Sequence, residues 1–294
     1  MKSAAFLFFR KGENYLNKNY LTYPFRYMKI TQNYNGRTSH LSHTTGAPKD
    51  YPIDEAGKDS SRDFIYCPCD RMTVKKVYGV GSSGTNTLWL QSTDKVYFAD
   101  GTADFFTMLI THPNDDDMRK IRKGQTFTRG QAICREGTDG FATGNHLHIS
   151  AGKGRYKGSG WTKNSKNKWV LTCTEKAEKP ENLFFLDTDF TTVLSSGGLD
   201  FRTLPEEKYT PGTYRVTKAA LLHVRTGPGI MYSKKKYYLL TSSARKQIKE
   251  LIGRSADGYV KGVVFTVTQV SDNWGKTPSG WVCLDYCEKT GVTE

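Results

Sequence analysis

The sequence predicts a protein dominated by β-strands, with few short helices. Three observations predict it. Aromatic residues make up 13% of the chain although only 37% of it is hydrophobic, and aromatic and β-branched side chains favour strands. Twenty-eight glycines punctuate the chain, which suits many tight turns. Apolar residues recur with a period of two in several runs, whereas helical spacing is clear only at 243–252, where Ala244, Ile248, Leu251 and Ile252 share a face.

Taken in order, residues 1–22 hold the apolar run Ala4-Ala5-Phe6-Leu7-Phe8-Phe9, which ends at Arg10-Lys11. It is too short for a transmembrane span and lacks a small-residue cleavage site. The expectation is therefore synthesis in the cytoplasm without a secretory signal, and a strand or arm at the N-terminus. Met28 to Tyr34 alternates as a strand does, and Asn35-Gly36 turns the chain. Residues 37–63 read as one long loop, and long loops inside compact domains are often functional. Strands follow at Met72–Tyr78, Asn86–Ser92 and Phe105–His112, with Asn114 to Asp117 as a loop or helix start. Lys123-Gly124-Gln125 and Arg129-Gly130-Gln131 echo each other as two tight turns. From Ser150 to Lys168 the chain is basic and glycine-rich and reads as a loop. Pro205-Glu206-Glu207 reads as the linker, dividing the chain into 1–205 and 206–294. The second part reads as all-β, with strands at Tyr214–Thr217, Leu221–Arg225 and Val263–Thr268 and a closing hairpin over Trp274–Thr277 and Gly280–Leu284.

The formal net charge is +14, and residues 206–294 contribute +6 of it. A basic surface spread over both parts favours polyanionic partners, whether nucleic acid, anionic membrane or anionic cell wall. No helix-turn-helix, finger or RNA-binding signature supports nucleic acid. The six cysteines, Cys67, Cys69, Cys134, Cys173, Cys283 and Cys287, are too scattered for a disulfide scaffold, so most are expected buried and reduced, with Cys283–Cys287 as a possible pair.

The chemistry concentrates in histidine. In Gly144-Asn145-His146-Leu147-His148-Ile149-Ser150 the two imidazoles stand two residues apart, which in a strand puts them on one face with Leu147 on the other. His112 ends an earlier strand, and His40, His43 and Asp54 lie in the long loop. Histidine and carboxylate donors suit zinc, whose hydrolytic sites take three protein ligands and leave a position for water.

This order of residues resembles the lysostaphin-type zinc metallopeptidases that cut peptidoglycan cross-bridges. The family shows a His and Asp pair, an isolated His at a strand end, then a His-x-His. Here those are His43 and Asp54, then His112, then His146 and His148, with the two Gly-Gln turns and Gly137 through Asn145 agreeing around them. The resemblance spans about residues 28–155. It implies an antiparallel-sheet domain with an open groove, one zinc ion held by His43, Asp54 and His148, and catalytic roles for His112 and His146. It departs from the family in one respect: ten residues separate His43 from Asp54, where the usual pattern is His-x-x-x-Asp. His40 is accordingly a rival first ligand and Asp50 a weaker rival to Asp54. Tyr34 is a candidate for lining the cleft, with packing as its alternative role.

The C-terminal part resembles bacterial SH3 domains, small β-barrels that bind cell-wall peptides. The residues that carry this are Leu222-His223-Val224-Arg225-Thr226-Gly227-Pro228-Gly229 and Gly280-Trp281-Val282. Tyr232 and Trp274 are the leading candidates for contacting the wall, with Tyr237, Tyr238 and Tyr286 behind them. Together the resemblances imply a monomeric peptidoglycan hydrolase of the phage endolysin type, acting on the outer side of the membrane. The alternatives are a catalytically inactive wall-binding protein and a bacteriocin.

Overall fold

The computed structural model describes residues 18–36, 40, 50–58, 62–80, 85–140, 142–158, 160–163, 165, 169–205 and 208–290. Among the described residues, contacts divide the chain into two compact units, one of residues 19–205 and one of residue 18 with residues 208–290. No helix among the described residues is long and apolar enough to cross a membrane.

The first unit carries strands β1 (Tyr27–Gln32), β2 (Ile53–Glu55), β3 (Phe64–Tyr66), β4 (Arg71–Tyr78), β5 (Thr87–Ser92), β6 (Val96–Tyr97), β7 (Ala103–Asp104), β8 (Phe106–Thr111), β9 (Thr126–Thr128), β10 (Ala132–Arg135), β11 (Leu147–Lys153), β12 (Trp161–Lys163), β13 (Trp169–Leu171), β14 (Lys176–Ala177) and β15 (Thr192–Ser195). One sheet runs in the order β15-β1-β2-β11-β8-β5-β4-β9, with β14 also on β11. Its pairings are antiparallel except β1 with β15. β5 and β8 are buried along their whole length, because both faces of the sheet are covered. Leu88, Leu90, Met108, Ile110, Leu147 and Ile149 enter the main core. Trp89 and Leu109, pointing the other way, pack with Leu171 and Cys173. The second cover includes β13, which pairs with β12 as a hairpin. Residues read from sequence as a loop through Lys168 therefore contain β12: the strand is three residues long, too short to show a period.

The long loop of residues 37–63 is also interrupted. β2 is inserted between β1 and β11, and all three of its residues are buried. The Gly-Gln echo has a common structure. In each turn the Gln backbone N–H donates three residues back, to Arg122 or Thr128, and its Oε1 accepts the N–H of that same residue at 3.1 Å. Gly124 and Gly130 have φ of +87° and +73°, which glycine adopts without steric cost. The turns hold β9 at the sheet edge. A short helix, Asp115–Met118, is capped by the Asn114 side chain.

The second unit has its own core, including Tyr214, Val216, Ile248, Tyr259 and Val282. Its strands are β16 (Gly212–Val216), β17 (Leu221–Leu222), β18 (Tyr259–Val260), β19 (Val264–Val267), β20 (Gln269–Ser271), β21 (Trp274–Thr277), β22 (Gly280–Cys283) and β23 (Cys287–Lys289). They form separate sheets of two and three strands, so the described residues do not close into the small barrel that the sequence suggests. Strands of two to five residues, broken by turns, leave the ladders discontinuous. The helix expected at 243–252 spans Ser242–Ile252, with Thr241 as N-cap and Gly253 in the left-handed conformation. Only Ala244 and Ile248 of its expected face are buried; Leu251 and Ile252 are exposed. All six cysteines are buried and free, Cys283 and Cys287 included.

Candidate metal centre

A single row across the sheet builds the site. Gln32 faces Asp54, Asp54 faces His148, His148 faces Thr111, and Thr111 faces Thr87. Directly opposed residues in antiparallel strands point to the same side. The row lies on the face opposite the main core, since Leu147 and Ile149 occupy that core. The alternation expected of His146-Leu147-His148 is thus realised, and both imidazoles reach the Asp54 carboxylate. His148 Nδ1 is 3.0 Å from Asp54 Oδ1 and His146 Nε2 is 4.0 Å from it.

The imidazole that joins them among the described residues is His40. Its Nε2 is 3.2 Å from the same Oδ1, its ring centroid is 5.1 Å from that of His148, and the side chain is 1% exposed. His40, Asp54 and His148 each offer a ligand atom within 4.8 Å of the others. His43 lies outside the described residues. Asp50 is buried but is not one of this set.

Tautomers follow from the partners. His40 Nδ1 is 2.8 Å from the Asn33 carbonyl oxygen, which can only accept. The Nδ1 therefore carries the proton, and Nε2 of the neutral ring bears a lone pair. That lone pair points at a carboxylate oxygen in a buried setting, where two electron-pair donors repel unless a proton or a cation lies between them. A divalent cation satisfies His40, Asp54 and His148 together, and two imidazoles with one carboxylate are a zinc donor set. Gln32 Nε2 donates to Asp54 Oδ2 at 2.8 Å, which orients the carboxylate from behind, as supporting partners of metal ligands do. Burial by itself would raise the Asp54 carboxyl, but the adjacent His148 and His40 outweigh it and hold it well below the usual carboxylate range.

His112 and His146 stand beside this set with their ring centroids 4.7 Å apart. Each rests its Nδ1 on a backbone carbonyl, His112 on Asp139 at 2.6 Å and His146 on Gly144 at 2.9 Å. By the same logic each neutral ring has a bare Nε2. His112 follows β8 with φ of +68°, an uncommon conformation for a side-chain-bearing residue and one that concentrates at functional sites. It turns the ring out of the strand direction. Gly137 lets this corner close: a Cβ there would come within 2.6 Å of the His112 carbonyl oxygen, while the Gly137 carbonyl accepts the His146 N–H.

The other candidate residues have surroundings of their own. Tyr34 is in the main core, and its hydroxyl donates to Glu181 Oε1 at 2.6 Å. In the second unit Trp274 is half-buried against the local core, with the Arg225 guanidinium 5.9 Å from its ring centroid. Tyr232 is 48% exposed, and its ring covers Gly227. Sequence reasoning passed over Gln32, Asn33, Asn86 and Asp139. The alternation of β1 would put Gln32 on the core face with Met28 and Ile30; the register shift between Ile30 and Gln32 brings it opposite Asp54 instead.

No protein-family model matches this sequence. The chain is 30% identical over 141 residues to Morphogenesis protein 1 of Bacillus phage B103, an alignment covering 48% of this chain and 34% of that protein. It thus spans about a third of the length of this curated relative. Among solved structures it is similar to a zinc-containing peptidase from Vibrio cholerae, with a TM-score of 0.29 and 20% identity over 54% of this chain and 41% of the other. It is also similar to lysostaphin, an antimicrobial peptidase from Staphylococcus simulans. The lysostaphin solution structure gives a TM-score of 0.35 at 11% identity and covers 91% of both chains.

Proposed function

We propose that this protein is a peptidoglycan hydrolase, a zinc-dependent endopeptidase that cuts peptide cross-links of the bacterial cell wall. The observation that carries this reading is the convergence of His40, Asp54 and His148 on one carboxylate oxygen, with two more imidazoles beside them. His40, Asp54 and His148 hold the ion in this reading, with His40 taking the place that the sequence resemblance gave to His43. Zinc supplies Lewis acidity, which makes water acidic enough to attack at neutral pH and polarises a peptide carbonyl.

The chain's own residues do the rest. Nε2 of His112 and of His146 are positioned to accept a proton from the attacking water. Once protonated, the same atom becomes a donor, to the developing oxyanion or to the departing amine. Their Nδ1–H bonds to backbone carbonyls keep each ring from presenting the wrong nitrogen. The complete donor set supports an enzyme over an inactive wall-binding protein.

In this reading residues 1–205 cut and residues 206–294, as an SH3-like domain, hold the enzyme on the wall through aromatics such as the exposed Tyr232 and the half-buried Trp274. Tethering raises the effective concentration of substrate without new chemistry. The net charge of +14 complements an anionic wall. The named phage morphogenesis relative supports a phage enzyme over a bacteriocin, and the protein acts as a monomer.

Mass spectrometry of fragments released from purified cell walls tests the proposal. New amino termini in the cross-link peptides are expected, lost with a chelator and restored by zinc. Release of new reducing sugar ends alone, or no release at all, would overturn it.

A further inference from the structure

We infer that Asp139 is a positioning residue for His112, fixing the tautomer that leaves Nε2 bare; its catalytic consequence rests on the hydrolase reading above. Three hydrogen bonds close a ring among three residues. The His112 backbone N–H donates to the Asn86 carbonyl at 3.0 Å. The Asn86 N–H donates to Asp139 Oδ2 at 2.5 Å. The His112 Nδ1–H donates to the Asp139 carbonyl at 2.6 Å. Asp139 therefore acts on His112 twice, directly through its carbonyl and indirectly through Asn86.

Asn86 is a firm anchor for this ring. It is 1% exposed, and its Nδ2 donates to the Pro113 carbonyl at 3.0 Å and to Asp115 Oδ1 at 2.6 Å. It thus holds the chain at His112 and just beyond it, where the His112 φ of +68° is costly without support. The carboxylate ties the segment 137–140 to that anchor, and Gly137 at the start of the segment accepts the His146 N–H. One short loop thereby sets the reach of both unligated imidazoles. Removing the carboxylate leaves the Asn86 N–H without this acceptor and frees the Asp139 carbonyl to leave Nδ1, after which the His112 proton redistributes between its two nitrogens.

Imidazole 15N–1H correlation spectra of the full zinc-loaded chain at about pH 8, where histidine is neutral, read the tautomer directly, with His112 assigned from the signals lost in His112→Gln. Wild type and Asp139→Asn, which keeps an oxygen acceptor for the Asn86 N–H, are expected to show His112 protonated at Nδ1. Asp139→Ala is expected to shift it toward protonation at Nε2, with kcat for wall cleavage reduced about 10- to 100-fold and KM unchanged. Asp139→Ser, too short to reach the Asn86 N–H, serves in its place should Asp139→Ala not fold. A His112 that stays wholly protonated at Nδ1 in the shortened variant overturns the inference. A wild-type protein that cleaves nothing sinks the hydrolase reading instead, and the tautomer comparison still decides the role of Asp139.

Discussion

Gln32 and Asn33 carry no metal-binding chemistry of their own here, yet each holds one residue of the proposed ligand set. Gln32 holds Asp54 Oδ2, and the Asn33 carbonyl sets the His40 tautomer. Loss of a supporting hydrogen bond weakens metal binding without removing a ligand. Gln32→Ala is accordingly expected to bind zinc about 10- to 100-fold more weakly, measured by competition with a chelator, with its melting temperature little changed. His146→Ala is expected to keep its zinc and lose wall cleavage by about 100-fold or more, because its Nε2 lies 4.0 Å from Asp54 and outside the donor set. Metal content and fragment release measured on one preparation separate the two effects. At this scale the sequence pointed to Asp54, His112, His146 and His148 as candidates, because those are the side-chain types a metal centre would need. The supporting residues were not among them, since backbone carbonyls and a glutamine amide carry no such signature. Choosing between His40 and His43 requires knowing which turn of the chain faces β2, and three-residue spacing alone does not supply that.

β1 and β4 follow from sequence because their apolar residues alternate, and β5 and β8 because aliphatic and aromatic residues run together in them. β2 does not, although it carries Asp54: it has three residues, all buried between neighbouring strands. The helix Ser242–Ile252 was legible from spacing, but spacing overstated the width of its buried face, since tertiary packing decides which turns meet the core. Away from the site, Arg135 clamps β10 to the short helix Asp115–Met118. Its Nε and Nη2 donate to the two Asp117 oxygens at 2.8 and 3.0 Å, and its backbone N–H donates to Oδ2 as well. Burial would raise the Asp117 carboxyl, but the Arg135 hydrogen bonds outweigh it and hold it below its usual value. A carboxylate with a lowered folded-state pKa stabilises the fold above its unfolded pKa, and that contribution disappears as the pH falls through the folded one. Asp117→Asn is therefore expected to cost about 1 kcal/mol at pH 7, the pair being partly exposed. The difference from wild type should shrink below about pH 4. Denaturant melts at both pH values check this, and a difference that grows in acid would contradict it.

For the whole molecule, two separate hydrophobic cores accompany two compact units among the described residues. Barrel closure in the second unit could not be read from sequence, because it depends on register between short, separated strands. The basic charge is distributed over both units, so attachment to an anionic wall should weaken with ionic strength. Co-sedimentation with purified walls is expected to fall between ~0.05 and ~0.5 M salt, as the screening length shortens; binding indifferent to salt would place it on aromatic contacts alone. The account as a whole depends on three side chains sharing one ion. Zinc content measured by mass spectrometry on purified wild type, His40→Ala, His43→Ala and His148→Ala tests this most directly. One zinc per chain is expected in wild type and His43→Ala, and almost none in His40→Ala and His148→Ala. Equal zinc in wild type and His148→Ala would contradict it.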